Sequence, residues 1–137
     1  MKKFEILDHT ADIAGRVYGR DLRELFVNAS TLLYSLMSPE FRGGAAADAD
    51  MELSGDTAED LLVKFLNELI YRAEVKKTAG SVFDMNIEKK GAKFHLSCRI
   101  KSREIRVPGR EIKAATYHGL ILEEQNGVFT ADVIFDI

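Results

Sequence analysis

Cysteine is almost missing from this chain: Cys98 stands alone among 137 residues. One thiol excludes an intramolecular disulfide and a thiolate metal site. Cys98 shares the alternating parity of Phe94, Leu96 and Ile100, which predicts a small buried apolar residue. No apolar run approaches the roughly 20 residues that a membrane span needs, and no secretion signal is visible, so a cytoplasmic protein is expected. Charge of one sign is also lacking. Nineteen basic and 22 acidic side chains leave a net charge of −3, so any RNA contact has to be local or mediated by a partner. Phosphate-binding glycine loops and the G-x-S-x-G elbow are absent, as is any Cys/His/acid grouping that marks a nucleophile.

What is present is a chain sized for one domain, 1–137, with 46% hydrophobic residues to fill a core. Leu22, Leu25, Phe26, Ala29, Leu32, Leu33 and Leu36 recur at helical steps. Asp21 is the expected N-cap of that helix and Glu24 its capping-box partner. Ser38-Pro39 ends it, because proline disfavours helical geometry in the residue before it. Asp56-Thr57-Ala58-Glu59 opens a second helix, whose apolar stripe is Leu61, Leu62, Phe65, Leu66, Leu69, Ile70 and Ala73. Thr78-Ala79-Gly80-Ser81 is its expected stop.

The remainder reads as strands: Lys3–Leu7, Gly15–Tyr18, Met51–Leu53, a hairpin turning at Lys89-Lys90-Gly91-Ala92, and a second hairpin turning at Gln125-Asn126-Gly127 between Ile112–Glu124 and Val128–Ile137. Phe41–Asp50 has no periodicity and is expected to be a mobile loop. The fold expected is α+β: a two-layer sandwich, with a mainly antiparallel sheet burying one face under both helices.

Three stretches carry candidate chemistry. Asp8-His9-Thr10-Ala11-Asp12 crowds two aspartates, a histidine and a threonine between the first two strands, where such side chains either coordinate an ion or bond nearby backbone. The segment Val133–Ile137 is strand-like and sets Asp136 beside the carboxylate of Ile137. Carboxyl groups held that close repel unless a cation neutralises them, and Ca²⁺ or Mg²⁺ prefers such oxygens. No Cys or His pair has zinc spacing. In Glu111–His118, Lys113, Tyr117 and His118 are suited to phosphate or a protein partner, with a structural histidine as the alternative. The basic residues Arg99, Lys101, Arg103, Arg106 and Arg110 either meet an acidic partner or RNA or form a solvated face. No interleaved aromatic favours stacking on bases. His95 should face solvent without a special role.

Asp8-His9-Thr10-Ala11-Asp12, Gly19 with Leu22, Glu24, Leu25 and Phe26, Leu66-Asn67-Glu68-Leu69-Ile70-Tyr71, Lys113-Ala114 with Thr116-Tyr117-His118, and the closing Asp136-Ile137 together resemble the archease family. The resemblance implies a non-catalytic accessory of an RtcB-type RNA ligase in tRNA splicing, which promotes guanylylation and turnover of the ligase and alters its nucleotide use. It meets tRNA only through that ligase. It also implies a divalent cation, calcium with magnesium as the alternative, held by Asp12, Asp136 and Ile137. Lys113 is the implied functional lysine, with His9 and Asp8 beside it at the partner-facing surface. The rival readings are a general protein chaperone and a metal-dependent phosphoesterase. Oligomeric state is open.

Overall fold

The computed structural model describes residues 1–7, 12–117 and 119–137. In order along the chain lie β1 (Phe4–Leu7), β2 (Ile13–Gly19), α1 (Leu22–Met37), β3 (Glu40–Phe41), β4 (Ala47–Gly55), α2 (Ala58–Glu74), β5 (Thr78–Lys90), β6 (Lys93–Val107), β7 (Ala114–Thr116), β8 (Leu122–Gln125) and β9 (Val128–Asp136). All strand pairs are antiparallel. The expected α+β class holds, with the strands divided between two sheets. One runs β1-β2-β9-β7, with β8 also on β9; the other is built around β6, which pairs with β3, β4 and β5.

The helices begin where their caps dictate. The Asp21 carboxylate accepts from the Glu24 N–H at 2.8 Å, and Glu24 in return accepts from the Arg20 N–H at 3.0 Å. The Thr57 hydroxyl accepts from the Asp60 N–H at 3.0 Å, while Asp60 accepts from the Asp56 N–H at 3.0 Å. Each reciprocal pair satisfies backbone donors that the first helical turn leaves open. The Asp21 carboxyl is held below its ordinary range, chiefly by the Glu24 N–H. At the other end of α1, Ser38 turns left-handed with φ 49°, and its N–H donates to the Tyr34 carbonyl.

Both helices press apolar faces into one core. The rings of Phe26 and Phe65 lie 5.7 Å apart, centroid to centroid, and Val17, Leu25, Leu61, Leu66, Val133 and Phe135 are fully buried with them. Each such side chain contributes about 1.5–3 kcal/mol by leaving water. Gly19 lets α1 enter this core, because a Cβ there would stand 2.4 Å from the Leu25 backbone nitrogen. Cys98 is buried among the same apolar groups, as expected, and burial pushes its thiol up to about 11.

Several expected boundaries move. Thr78-Ala79-Gly80-Ser81 does not stop α2, which ends at Glu74, but forms the first rungs of β5 against Arg103, Glu104, Lys101 and Ser102. Asp84, at φ 50°, carries a bulge that shifts the β5 register and brings Val82 and Met85 to the same buried face. Phe41–Asp50 is not a continuous loop, since β3 takes Phe41 and β4 takes Ala47–Asp50. The β4 ladder supplies what its alanines and aspartates lack in strand propensity. Arg99 of β6 reaches Asp48 at 3.1 Å and Asp50 at 3.3 Å. Two α2 cations donate to β4 carbonyls, Arg72 to Asp50 and Lys64 to Ser54, both at 3.1 Å, which blunts an otherwise open sheet edge. The stretch expected as one strand, Ile112–Glu124, is broken into β7 and β8, both paired with β9. Asn126 and Gly127, at φ 54° and 77°, make the tight turn from β8 to β9. Among the described residues no helix is long and apolar enough to cross a membrane.

Candidate functional site

β9 is the central strand of its sheet and β2 lies along one side of it. Their ladder pairs Gly19 with Phe129 at one end and Ile13 with Phe135 at the other. Alternate residues of β9, Ala131, Val133 and Phe135, are buried, which turns Asp132, Ile134 and Asp136 to the opposite face. The last pair is Ile13 with Phe135, and Asp12 and Asp136 each lie one residue beyond it. On the other side of β9, Ala114 pairs with Asp136, and the Lys113 N–H donates to the Asp136 carbonyl at 2.8 Å. Asp12, Lys113 and the adjacent Asp136 and Ile137, three places far apart in sequence, therefore come to one end of a three-strand ladder.

The polar groups there differ in exposure. Oδ1 of Asp12 is withdrawn from solvent, whereas Asp136, Ile137 and the Lys113 side chain are exposed. Carboxylates brought close together repel unless a cation lies between them. Two carboxylates and a main-chain oxygen fit a hard cation well. They supply part of the roughly six to eight oxygens that calcium takes and leave room for water. Among the described residues no three His, Cys, Asp or Glu side chains form a metal-holding cluster, so the candidate set depends on the Ile137 oxygen as its third donor. Asp8, His9, Thr10 and His118 lie outside the described residues.

Behind this end, α2 grips the edge strand. The Asn67 side chain donates from Nδ2 to the Ala115 carbonyl at 3.2 Å and accepts at Oδ1 from the Ala115 N–H at 2.8 Å. Two turns earlier on α2, Asp60 accepts from the Tyr117 hydroxyl at 2.6 Å. That bond holds the Asp60 carboxyl below its ordinary range and raises the Tyr117 phenol. Neither Asp60 nor Asn67 stood out as a candidate from sequence. The available signal was an amide beside the apolar stripe of α2, a position where a polar group calls for a partner.

The basic run is mostly engaged within the molecule. Arg99 is paired with Asp48 and Asp50, Arg106 donates to Glu40 at 3.0 Å, and Arg103 lies 4.6 Å over the Phe41 ring. Phe83 and Phe41 reach the cations from adjacent strands, which the run itself does not reveal. His95 does not simply face solvent, because it is half-buried and its Nδ1 lies 2.8 Å from the Ser54 hydroxyl.

A family model described as the Archease protein family (MTH1598/TM1083) matches residues 4–137. The chain belongs to the archease family. It is 31% identical to Protein archease of Methanothermobacter thermautotrophicus over 140 residues, covering 100% of both chains. It is 32% identical to Protein archease of Archaeoglobus fulgidus over 136 residues, covering 98% of this chain and 99% of the relative. The solution structure of Methanobacterium thermoautotrophicum protein 1598 superposes with a TM-score of 0.82 at 28% identity, covering 100% of both chains. A crystal structure from Thermotoga maritima, of an archease described as a possible chaperone, gives a TM-score of 0.66 at 26% identity, with 96% of this chain and 94% of that one covered. Of the stretches that carry the resemblance, Leu66–Tyr71 holds Asn67, whose partner Ala115 follows Lys113 by two residues, and the Lys113 N–H donates to the Asp136 carbonyl.

Proposed function

We propose that this archease is a non-catalytic accessory of an RtcB-type RNA ligase, acting in the cytoplasm during tRNA splicing. Its working centre is the end of the β2–β9–β7 ladder. Asp12, Asp136 and the Ile137 main-chain or carboxylate oxygen hold a divalent cation, with calcium favoured by the all-oxygen donor set and magnesium the alternative. Bound there, the cation supplies positive charge between carboxylates that otherwise repel. The chain's own residues do the rest. Asp12 and Asp136 fix the tail of β9 to the start of β2, and Lys113, tied through its N–H to Asp136, offers an exposed ammonium beside them. His9 and Asp8 extend the surface offered to the ligase. Contact there promotes guanylylation and turnover, and tRNA is met through the ligase.

The observation that carries this reading is the β2–β9 register, whose last pair, Ile13 with Phe135, is next in sequence to both Asp12 and Asp136. The test compares wild type with Asp136→Ala as activators of a ligase at matched concentration and metal. Losing a direct ligand should reduce activation by at least the roughly 10- to 100-fold that loss of an outer-shell partner costs, with the circular dichroism spectrum retained. Full activation by the variant overturns the reading. So does turnover of GTP or RNA ends by the protein alone with Mg²⁺, which would favour an enzyme.

A further inference from the structure

β7 is three residues long and lies at the edge of its sheet, paired on one side to β9. Such a strand has few ladder bonds of its own and is prone to fray. A side chain of α2 meets its free side. The Asn67 amide offers both a donor and an acceptor, and it meets the carbonyl and the N–H of Ala115 together, as a neighbouring strand would. Ala115 lies two residues from Lys113 and directly opposite Phe135, the residue before Asp136. Asn67 is half-buried on a helix whose neighbouring positions, Leu66, Leu69 and Ile70, are buried in the core, so the amide has little freedom to move away. The contact from Tyr117 to Asp60 fastens the same segment two residues further on.

We infer that Asn67 is a positioning residue. By completing the outer edge of β7 it fixes Lys113 and the terminal rung of β9, and so the placement of Asp136 and Ile137 toward Asp12. This rests on the cation-site reading above for its effect on metal binding. The mechanical part, that Asn67 immobilises Lys113 and Asp136, stands on the hydrogen bonds alone.

Asn67→Asp is the informative variant. It keeps the acceptor for the Ala115 N–H and replaces the donor with an oxygen facing the Ala115 carbonyl, with almost no change in volume. Ile100→Val, in the core of the other sheet, serves as the control for lowered stability without a change at the site. Two readouts on the full chain are needed: amide hydrogen exchange at Lys113, Ala115 and Asp136, and calcium affinity by titration calorimetry.

The expected result for Asn67→Asp is faster exchange at those three amides, unchanged exchange in β4–β6, and calcium binding weakened roughly tenfold, the lower end of what outer-shell losses cost. Ile100→Val should leave affinity and these amides alone. Wild-type exchange at Lys113 and Asp136 in Asn67→Asp overturns the positioning role. Exchange accelerated throughout the chain also overturns it, because it marks a general structural effect. Local acceleration with unchanged calcium affinity overturns the coupling to the site. If wild type itself takes up no calcium, the cation-site reading fails, and the exchange data still decide whether Asn67 positions the segment.

Discussion

Asp132 and Asp136 stand on the same face of β9, four residues apart, and β2 answers them differently. Opposite Asp132 the ladder sets Arg16, whose guanidinium donates twice, from Nε at 2.7 Å and from Nη2 at 3.0 Å. Arg16 also lies 3.7 Å from Glu5, which in turn accepts from the Tyr18 hydroxyl at 2.6 Å. The Asp132 hydrogen bond is the main reason the Arg16 pKa is raised, and the Tyr18 hydroxyl is the main reason that of Glu5 is lowered. The ladder ends at Ile13 and Phe135, so Asp12 and Asp136 each lie one residue beyond its last pair. One end of the strand pair is a closed set of charges balanced within the fold. The other end holds Asp136, exposed and one residue past the last β2–β9 pair, where the proposal above sets a cation.

The largest effect should come from removing what both ends share. Phe135 is fully buried on the reverse face of β9 and pairs with Ile13 and Ala115. Phe135→Ala should lower stability by about 3–5 kcal/mol, read by urea unfolding, and should erase the comparison by loosening the strand itself.

Next comes a direct exchange of character between the two ends. Wild type should gain about 2.7 kcal/mol at a calcium concentration 100 times Kd, the gain that mass action sets for one site. Asp12→Arg should make the Asp136 row resemble the Asp132 row. The variant should lose the calcium-dependent rise in Tm. A calcium-dependent rise in Tm equal to that of wild type would sink the like-charge explanation.

The sequence made some of this legible and hid the rest for physical reasons. Both helices announced themselves, because capping side chains and an apolar stripe are local patterns, and Asp21, Glu24 and Thr57 act where they stand. β4 was hidden. Ala47-Asp48-Ala49-Asp50 has poor strand propensity, and its partners Arg99 and Arg72 are supplied by elements far along the chain. Gly80 concealed the start of β5 by resembling a helix stop, whereas its missing side chain admits the Lys101 carbonyl of β6. Of the candidate site, Asp12, Asp136 and Lys113 were nameable from motifs. Their meeting depends on register, which no single segment carries. Asn67 and Asp60 escaped because their work is across elements, in contacts with Ala115 and Tyr117.

A smaller effect separates the α2 clasp from the site it supports. Tyr117→Phe removes the hydroxyl bonded to Asp60 and should cost about 1 kcal/mol at pH 7, the net worth of an ordinary hydrogen bond. Asp60 has a folded pKa below its unfolded one, mainly because of this bond. Its contribution is therefore full above the ordinary carboxylate value of about 3.9 and is lost as pH falls through the lower folded value. The gap between wild type and Tyr117→Phe, measured by urea unfolding, should shrink below about pH 4. An undiminished gap would assign the loss to ring packing.

The smallest effect belongs to the balanced end. Asp132→Asn keeps the shape of the Arg16 contact and removes its charge, yet both side chains lie partly in water, each 41% exposed, where screening reduces what an ion pair contributes. Its unfolding midpoint should stay close to wild type, and its calcium affinity should be unchanged, because the row it alters already holds its own cation. Asp136→Asn makes the same chemical change four residues away and should abolish the calcium response. Equal behaviour of these two variants, in either direction, would mean that the acidic row is no more a binding site than the paired one.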